Sequence, residues 1–190
     1  MRRDLPSIPA EAFRVGMRRL AAGVTIVTAM HDGARNGLTA TAVTSLSADP
    51  PQVLVCVNRT ATAHDLIHRG AALCVNILAQ EHRDLAARFA GMDGVHGPER
   101  FDIGTWTTLV TGSPVLSDAI AAFDCVVDEA VDSATHTIFI GRVVGISARE
   151  DGRPLVYEAG RFGTFSATPE RRPRTGGVRA SSTRRRGSRR

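Results

Sequence analysis

The sequence predicts a mainly β fold, an antiparallel barrel with short helices inserted among its strands. Three observations predict it. Seven or more apolar or alternating runs of strand length are separated by turn residues, and most follow one another through hairpin-sized links instead of alternating strictly with helices. The chain also has 190 residues, 43% of them hydrophobic, enough for one domain with a sizeable core.

The elements read in order as follows. Ala10 to Ala22, "AEAFRVGMRRLAA", sets Phe13, Met17 and Leu20 at helical spacing ahead of Gly23 and predicts a first helix. "VTIVTAM" (24–30) reads as a strand, "HDGARN" as a turn and "GLTATAVTSLS" (37–47) as the returning strand of a hairpin. "ADPP" ends that strand, and the near-continuous apolar character of "PQVLVCVN" (51–58) predicts a strand buried on both faces. Thr62 to Asp65, "TAHD", has the form of a capping box opening a short helix that Gly70 closes. "AALCVNIL" (71–78) is a further strand, "QEHRDLAARFA" (80–90) a second short helix ended by Gly91, and "GMDGVHGPERFD" a polar loop. "AFDCVVDEAVD" (122–132) and "THTIFIGRVVGIS" (135–147) form two long strands around an "SA" turn, and "PLVYEAGRFGTF" (154–165) supplies a final strand and loop.

Charge divides the chain. Residues 169–190 hold nine arginines and one acid, which leaves fifteen arginines against eighteen acids for the body, 1–168. The body is the expected folded domain; the Arg, Ser, Gly and Pro composition of 169–190 predicts a disordered tail. With no lysine anywhere, every cationic side chain is a guanidinium, suited to planar anion contacts, and Schiff-base chemistry is excluded. Cys56, Cys74 and Cys125 each sit in an apolar stretch without CxxC spacing, which predicts buried reduced thiols. No run approaches a membrane span and no secretory leader is visible, so a cytoplasmic protein is expected.

Familiar catalytic signatures are absent. His64 and His68 are four apart on a short helix, but the glutamate of a zincin is missing, and a surface pair is expected instead of a metal site. There is no GxGxxG after a strand, no P-loop and no GxSxG elbow. More informative is the thinness of 37–47. Extended geometry puts Thr39, Thr41, Val43, Ser45 and Ser47 on one face and Leu38, Ala40, Ala42, Thr44 and Leu46 on the other. Small side chains would let a flat ligand approach the backbone, with hydroxyls adding donors; an ordinary threonine-rich exposed strand has the same composition. Beyond the next strand, Asn58, Arg59, Thr60 and Thr62 cluster at a helix start, where free N–H groups favour an anion such as phosphate. Arg88, near a helix end, suits a phosphate or the last helical carbonyls.

The chain resembles the flavin reductase-like family from about Phe13 to Phe165. The carriers are "LAAGVTIVTA", "GLTATAVTSLSADPPQVLVCVN", "CVNIL" followed by "LAARFAG", "GSPVL", and "HTIFIGRVVGI" followed by "PLVYEAGRFG", in the order and spacing of short-chain reductases that supply reduced flavin to two-component monooxygenases. The resemblance implies a homodimeric, flavin-binding split β-barrel that uses FMN or FAD with NADH or NADPH. It implies flavin ring and ribityl contacts at Asn36, Gly37, Leu38, Thr39, Thr41 and Ala42, extending to Ser45 and Ser47. Ribityl and phosphate contacts are implied at Cys56, Val57, Asn58, Thr62 and Ala63, and closure over the phosphate or adenylate side at Arg88 and Phe89. The nicotinamide side would be lined by His136 and by Tyr157, Glu158, Ala159 and Gly160, with His136 orienting the carboxamide or supplying a proton. Two departures touch that side: "SAT" stands before His136 where Gly-Asp is common, and Glu158 stands where an aromatic or histidine is often found.

Hydride transfer asks little of a protein beyond stacking nicotinamide on flavin and excluding water. The expected function is therefore an NAD(P)H:flavin oxidoreductase serving a flavin-dependent monooxygenase. Two other readings stand beside it. One is a flavin- or heme-binding barrel, or a pyridoxamine-phosphate-oxidase-like oxidase, without reductase activity. The other is a nucleic-acid-associated protein acting nonspecifically through its basic tail, although the body has no helix-turn-helix.

Overall fold

The computed structural model describes residues 5–167, so the arginine-rich stretch 169–190 expected to form a tail lies outside the described residues. The strand expected after Gly23 forms over Thr25–His31 (β2) and is buried on both faces. Val27 and Ala29 point into one apolar cluster, while Ile26 joins Val24 in a second. β2 is the wall between two cores. It pairs with Ala34–Ala40 (β3) through the expected hairpin and, on its other side, with Ala72–Ile77 (β6).

The stretch 37–47 does not form the single strand that its alternation predicts. It divides at Thr41–Ala42 into the end of β3 and a separate strand, Val43–Ala48 (β4), which pairs with Pro51–Asn58 (β5). The cause is the sheet itself. With the long strands Ala121–Ser133 (β9) and His136–Ala148 (β10), the seven strands run β3-β2-β6-β9-β10-β5-β4, all antiparallel. Two consecutive segments of chain therefore form the two outer edges. A flat sheet would hold those edges ~29 Å apart, yet Ala40 and Val43 are only three residues apart, a reach of at most ~11 Å. The sheet must curl until its edges come together at the link Thr41–Ala42, and the Cys56 N–H, donating to the Ala42 carbonyl at 3.0 Å, carries the β4–β5 ladder up to that link. The expected antiparallel barrel is thus closed at one end by the thin stretch. Val27, Val53, Val55, Val57, Val75 and Phe139 fill its interior.

Several boundaries differ from expectation for local reasons. The first helix, α1, covers Ala10–Met17 and not 10–22, because the chain then turns and Ala22–Gly23 (β1) pairs with Leu155–Glu158 (β11). The capping box at Thr62 is not made: in α2 (Thr62–Gly70) the N-cap is Ala61, with no side-chain cap, and the Thr62 hydroxyl instead accepts from Asn36 Nδ2 at 3.0 Å. The left-handed residue ending α2 is Ala71, at φ 47°, and not Gly70. Gly70 is required for space, since a Cβ there would lie 3.0 Å from the Met30 carbonyl. The second predicted helix opens as a 3-10 turn over Gln80–His82 before α3 (Arg83–Phe89), with His82 Nδ1 accepting the Ala79 N–H at 3.1 Å. The final segment forms two strands, β11 and Arg161–Thr164 (β12).

A further hairpin, Trp106–Thr108 (β7) with Pro114–Leu116 (β8), was not anticipated. It is pinned to the barrel by buried polar groups. Asn76 accepts the Leu116 N–H and donates to the Ile26 carbonyl, and Thr28 Oγ1 donates to the Pro114 carbonyl. Asp124, fully buried, accepts from the N–H groups of Val110 (2.7 Å) and Thr111 (2.8 Å) and holds the loop between the two strands.

Candidate functional site

Thr41 stands where three depressions meet. The largest, a cavity of about 560 Å³, opens into the barrel and is lined by Thr25, Val53, Val75 and Phe123 together with Thr41, Val43, Ser45 and Ser47. A groove of about 510 Å³ runs between α1 and the β11–β12 turn and touches Thr41 and Ala42 on one side and Tyr157, Glu158, Ala159 and Gly160 on the other. A cleft of about 210 Å³ joins Thr39 and Thr41 to Ala90, Met92, Tyr157 and Phe162. The small residues of β3 and β4 thus form a shared wall, low enough for a planar molecule to lie over it.

At the other end of β3, Asn36 is buried and faces the start of α2. Its Oδ1 accepts the Gly37 N–H at 2.7 Å, which fixes the amide so that Nδ2 holds Thr62. Because no side chain caps α2 and only the His64 N–H is taken, by the Ala61 carbonyl at 2.9 Å, the Thr62 and Ala63 N–H groups are left for an external acceptor. Asn58 forms the turn into the helix, its Oδ1 accepting from the N–H and the hydroxyl of Thr60 at 3.0 Å each. From Asn36 to Thr41 the edge strand spans ~16 Å, so one extended ligand could reach from the helix start to the meeting point of the depressions.

The floor beneath this edge is aromatic. Phe89 is 1% exposed and packs edge-on against Phe101, with ring centroids 5.0 Å apart, and beside Trp106. Arg100 donates to the Gly37 carbonyl at 3.0 Å, and the Arg35 guanidinium lies 4.5 Å over the Phe101 ring. Thr39 Oγ1 donates to the Ala86 carbonyl at 2.7 Å and so ties β3 to α3.

Residues 17–166 match the model of the flavin reductase like domain. The chain belongs to that family. It is 39% identical over 165 residues to the FMN reductase (NADH) RutF of Ancylobacter novellus, an alignment covering 87% of this chain and 90% of that protein. Among solved structures, it superposes with a TM-score of 0.76 and 31% identity on BorF, the flavin reductase component of a bacterial two-component tryptophan halogenase, covering 84% of this chain and all of that one. The NADH:FAD oxidoreductase SgcE6 of Streptomyces globisporus, solved with NAD and FAD fragments, gives a TM-score of 0.77 at 26% identity, with 87% of this chain and all of that chain covered.

In this flavin reductase family member the expected flavin residues fall into distinct places. Thr41, Ser45 and Ser47 share the barrel cavity, whereas Thr39 turns toward α3, so the hydroxyl face is not continuous. Leu38 packs against the interior cluster. Val57 and Ala63 have their side chains in the core, at 0% and 1% exposure, so only backbone groups of theirs can meet a ligand, and Cys56 is half-buried beside Ala42. Phe89, which the resemblance would have close over a ligand, supports Gly37 from beneath and opens onto none of the three depressions. Arg88 is held by Asp93, Nε to Oδ2 at 2.8 Å, and that hydrogen bond keeps the Asp93 carboxyl below its usual range.

The expected nicotinamide set does not share one depression. Tyr157 to Gly160 line the groove beside α1, but His136, exposed, is paired with Asn58 across β5, its Nδ1 2.8 Å from Thr135 Oγ1. Nearby, Thr137 Oγ1 donates to Asp132 at 2.6 Å and lies 2.8 Å from His64 Nε2, so His64 is engaged within the fold. Since the one hydroxyl proton of Thr137 goes to Asp132, His64 Nε2 is the donor to Thr137. Sequence reasoning missed Arg14 and Arg18, which line the groove from α1. Their four-residue spacing beside Met17 was the available signal.

Proposed function

We propose that the protein is an NADH-dependent flavin reductase that takes FMN and releases it reduced to a separate flavin-dependent monooxygenase. The reading is carried by one observation: a thin edge strand leads from an uncapped helix start at Thr62 to Thr41, the meeting point of three depressions. The donor set fits the group. The first-turn N–H groups at Thr62 and Ala63, with the Asn36 amide behind them, suit a phosphate, and the small wall from Gly37 to Ala42 suits a planar ring. When bound, the flavin supplies the electron chemistry by accepting a hydride from the reduced nicotinamide.

The chain's own residues then bind, orient and exclude water. Asn36 fixes the Thr62 hydroxyl, and Arg100 holds the Gly37 carbonyl so that the edge strand keeps its line. Tyr157, packed on Phe162 with centroids 5.2 Å apart, forms the far wall against which a second ring would stack. FMN over FAD and NADH over NADPH are the preferences that the relatives' names suggest.

A homodimer completes the reading. α1 buries none of its residues, leaving Phe13 and Met17 56% and 47% exposed, and with Leu20 just beyond its end, 62% exposed, they make an apolar face suited to a second copy. No helix among the described residues is long and apolar enough to cross a membrane, in keeping with a cytoplasmic setting. The test is NADH oxidation by the purified full-length protein with FMN, with FAD and with no flavin. Turnover that requires added flavin and is faster with FMN is expected; no turnover with either flavin would overturn the reading.

A further inference from the structure

The groove between α1 and the β11–β12 turn carries charges that neither the barrel nor the flavin wall explains. Arg14, Arg18 and Glu158 all line it. Arg14 is neutralised on its own helix, its Nε and Nη2 both donating to Glu11 Oε2 at 3.0 and 2.7 Å. Among the described residues the side chains of Arg18 and Glu158 have no hydrogen-bond or ion-pair partner, and both are exposed to the groove.

Their spacing is fixed by the backbone. The Ala159 N–H donates to the Arg18 carbonyl at 2.9 Å, which locks the end of α1 to the turn. Ala159 and Gly160 hold φ of 50° and 80°, a tight turn that sets Glu158 and Arg161 opposite each other at the ends of β11 and β12. A lone guanidinium and a lone carboxylate thus face one groove whose inner end is Thr41 and Ala42.

We infer that Arg18 takes the diphosphate of the nicotinamide donor, and that Glu158 accepts from the hydroxyls of its adenosine ribose. The inference rests on the reductase reading above and assigns residues to the donor. A guanidinium meets a diphosphate through paired, charge-assisted hydrogen bonds. A carboxylate accepts readily from a ribose diol and repels a 2′-phosphate, so the groove selects NADH over NADPH by charge. Truncating Arg18 leaves its carbonyl, and therefore the bond to Ala159, in place.

The experiment compares wild type with Arg18→Ala, Arg18→Lys and Glu158→Gln, using NADH, NADPH and reduced nicotinamide riboside, which has no phosphate. Arg18→Ala is expected to raise the KM for NADH about tenfold or more, the factor expected of a lost charge-assisted hydrogen bond. kcat and the KM for FMN should stay close to those of wild type, and Arg18→Lys should recover part of the loss. The penalty should be confined to donors that carry a diphosphate, and Glu158→Gln should move the NADPH-to-NADH ratio of kcat/KM upward about tenfold. An unchanged KM for NADH in Arg18→Ala, or an equal loss with the riboside donor, overturns the assignment while leaving the reductase reading intact. Absence of turnover in wild type overturns both.

Discussion

Gly37 and Phe89 are in contact so close that no side chain could stand between them. A Cβ on Gly37 would lie 2.8 Å from Cε1 of Phe89 and 3.0 Å from the Val27 carbonyl. The ring is locked on its other side by Phe101 and Trp106, so it cannot retreat freely. Gly37→Ala is expected to destabilise the fold by about 1–3 kcal/mol through overpacking. Urea unfolding of the variant and wild type measures the difference, and equal midpoints and slopes would count against a rigid aromatic floor.

Asp124 is a buried acid that accepts from the N–H groups of Val110 and Thr111 and from the Thr111 hydroxyl, which makes it a structural anchor. Asp124→Ala leaves the Val110 and Thr111 N–H groups without their acceptor, at a cost of about 2–4 kcal/mol. Amide exchange should accelerate at Val110 and Thr111 beyond the change at Val53 or Val75 in the barrel. Uniform acceleration would contradict a local role.

Acid stability should carry a signature from Asp132. The Thr137 hydroxyl holds its carboxyl below the usual range, with Arg59, His64 and His68 adding to the effect. A folded-state value lower than the unfolded one gives stability that is present above the unfolded value and is lost as pH falls through the folded one. Asp132→Asn, which cannot titrate, should therefore be less stable than wild type at neutral pH, with the gap closing below about pH 4. Denaturation midpoints at both pH values test this, and a gap that is independent of pH would sink it.

Thiol chemistry should separate the three cysteines. Burial pushes the Cys74 thiol well up and the Cys125 thiol to about 12, whereas Cys56 is only half-buried. A thiol reagent at mildly alkaline pH should label Cys56 alone in the native protein and all three after unfolding. Because Cys56 adjoins Ala42, saturating FMN should slow that labelling. Rapid modification of Cys74 in the native state would show the sheet to be looser than described.

The strand, helix and hairpin pattern was legible because local periodicity sets it: β2, β5, β6, β9 and β10 lie within a residue or two of where alternation and turn residues put them. Hidden from that reasoning was anything decided at long range. Nothing in "TAT" announces that Thr41 is where a sheet's two edges meet, since the alternation of 37–47 runs through the break unchanged. Thr62 has the composition of an N-cap but gives its hydroxyl to Asn36, twenty-six residues away. The family resemblance implied a ligand contact at Phe89, whose ring lies in the core of the single chain, while Arg18, just past the end of α1, had no sequence reading of its own and lines a groove.

The junction at Thr41–Ala42 works as a seam. The two-residue link Thr41–Ala42 is what joins the margins of the sheet there, with the Ala42–Cys56 hydrogen bond carrying the β4–β5 ladder up to it, and all three depressions include a residue of that seam. Any molecule that fills them braces the closed barrel, so its binding free energy adds directly to the resistance of the sheet to uncurling, growing by about 1.4 kcal/mol for each tenfold rise in concentration above Kd. A melting temperature that climbs with the logarithm of ligand concentration would make the seam visible without any measurement of catalysis.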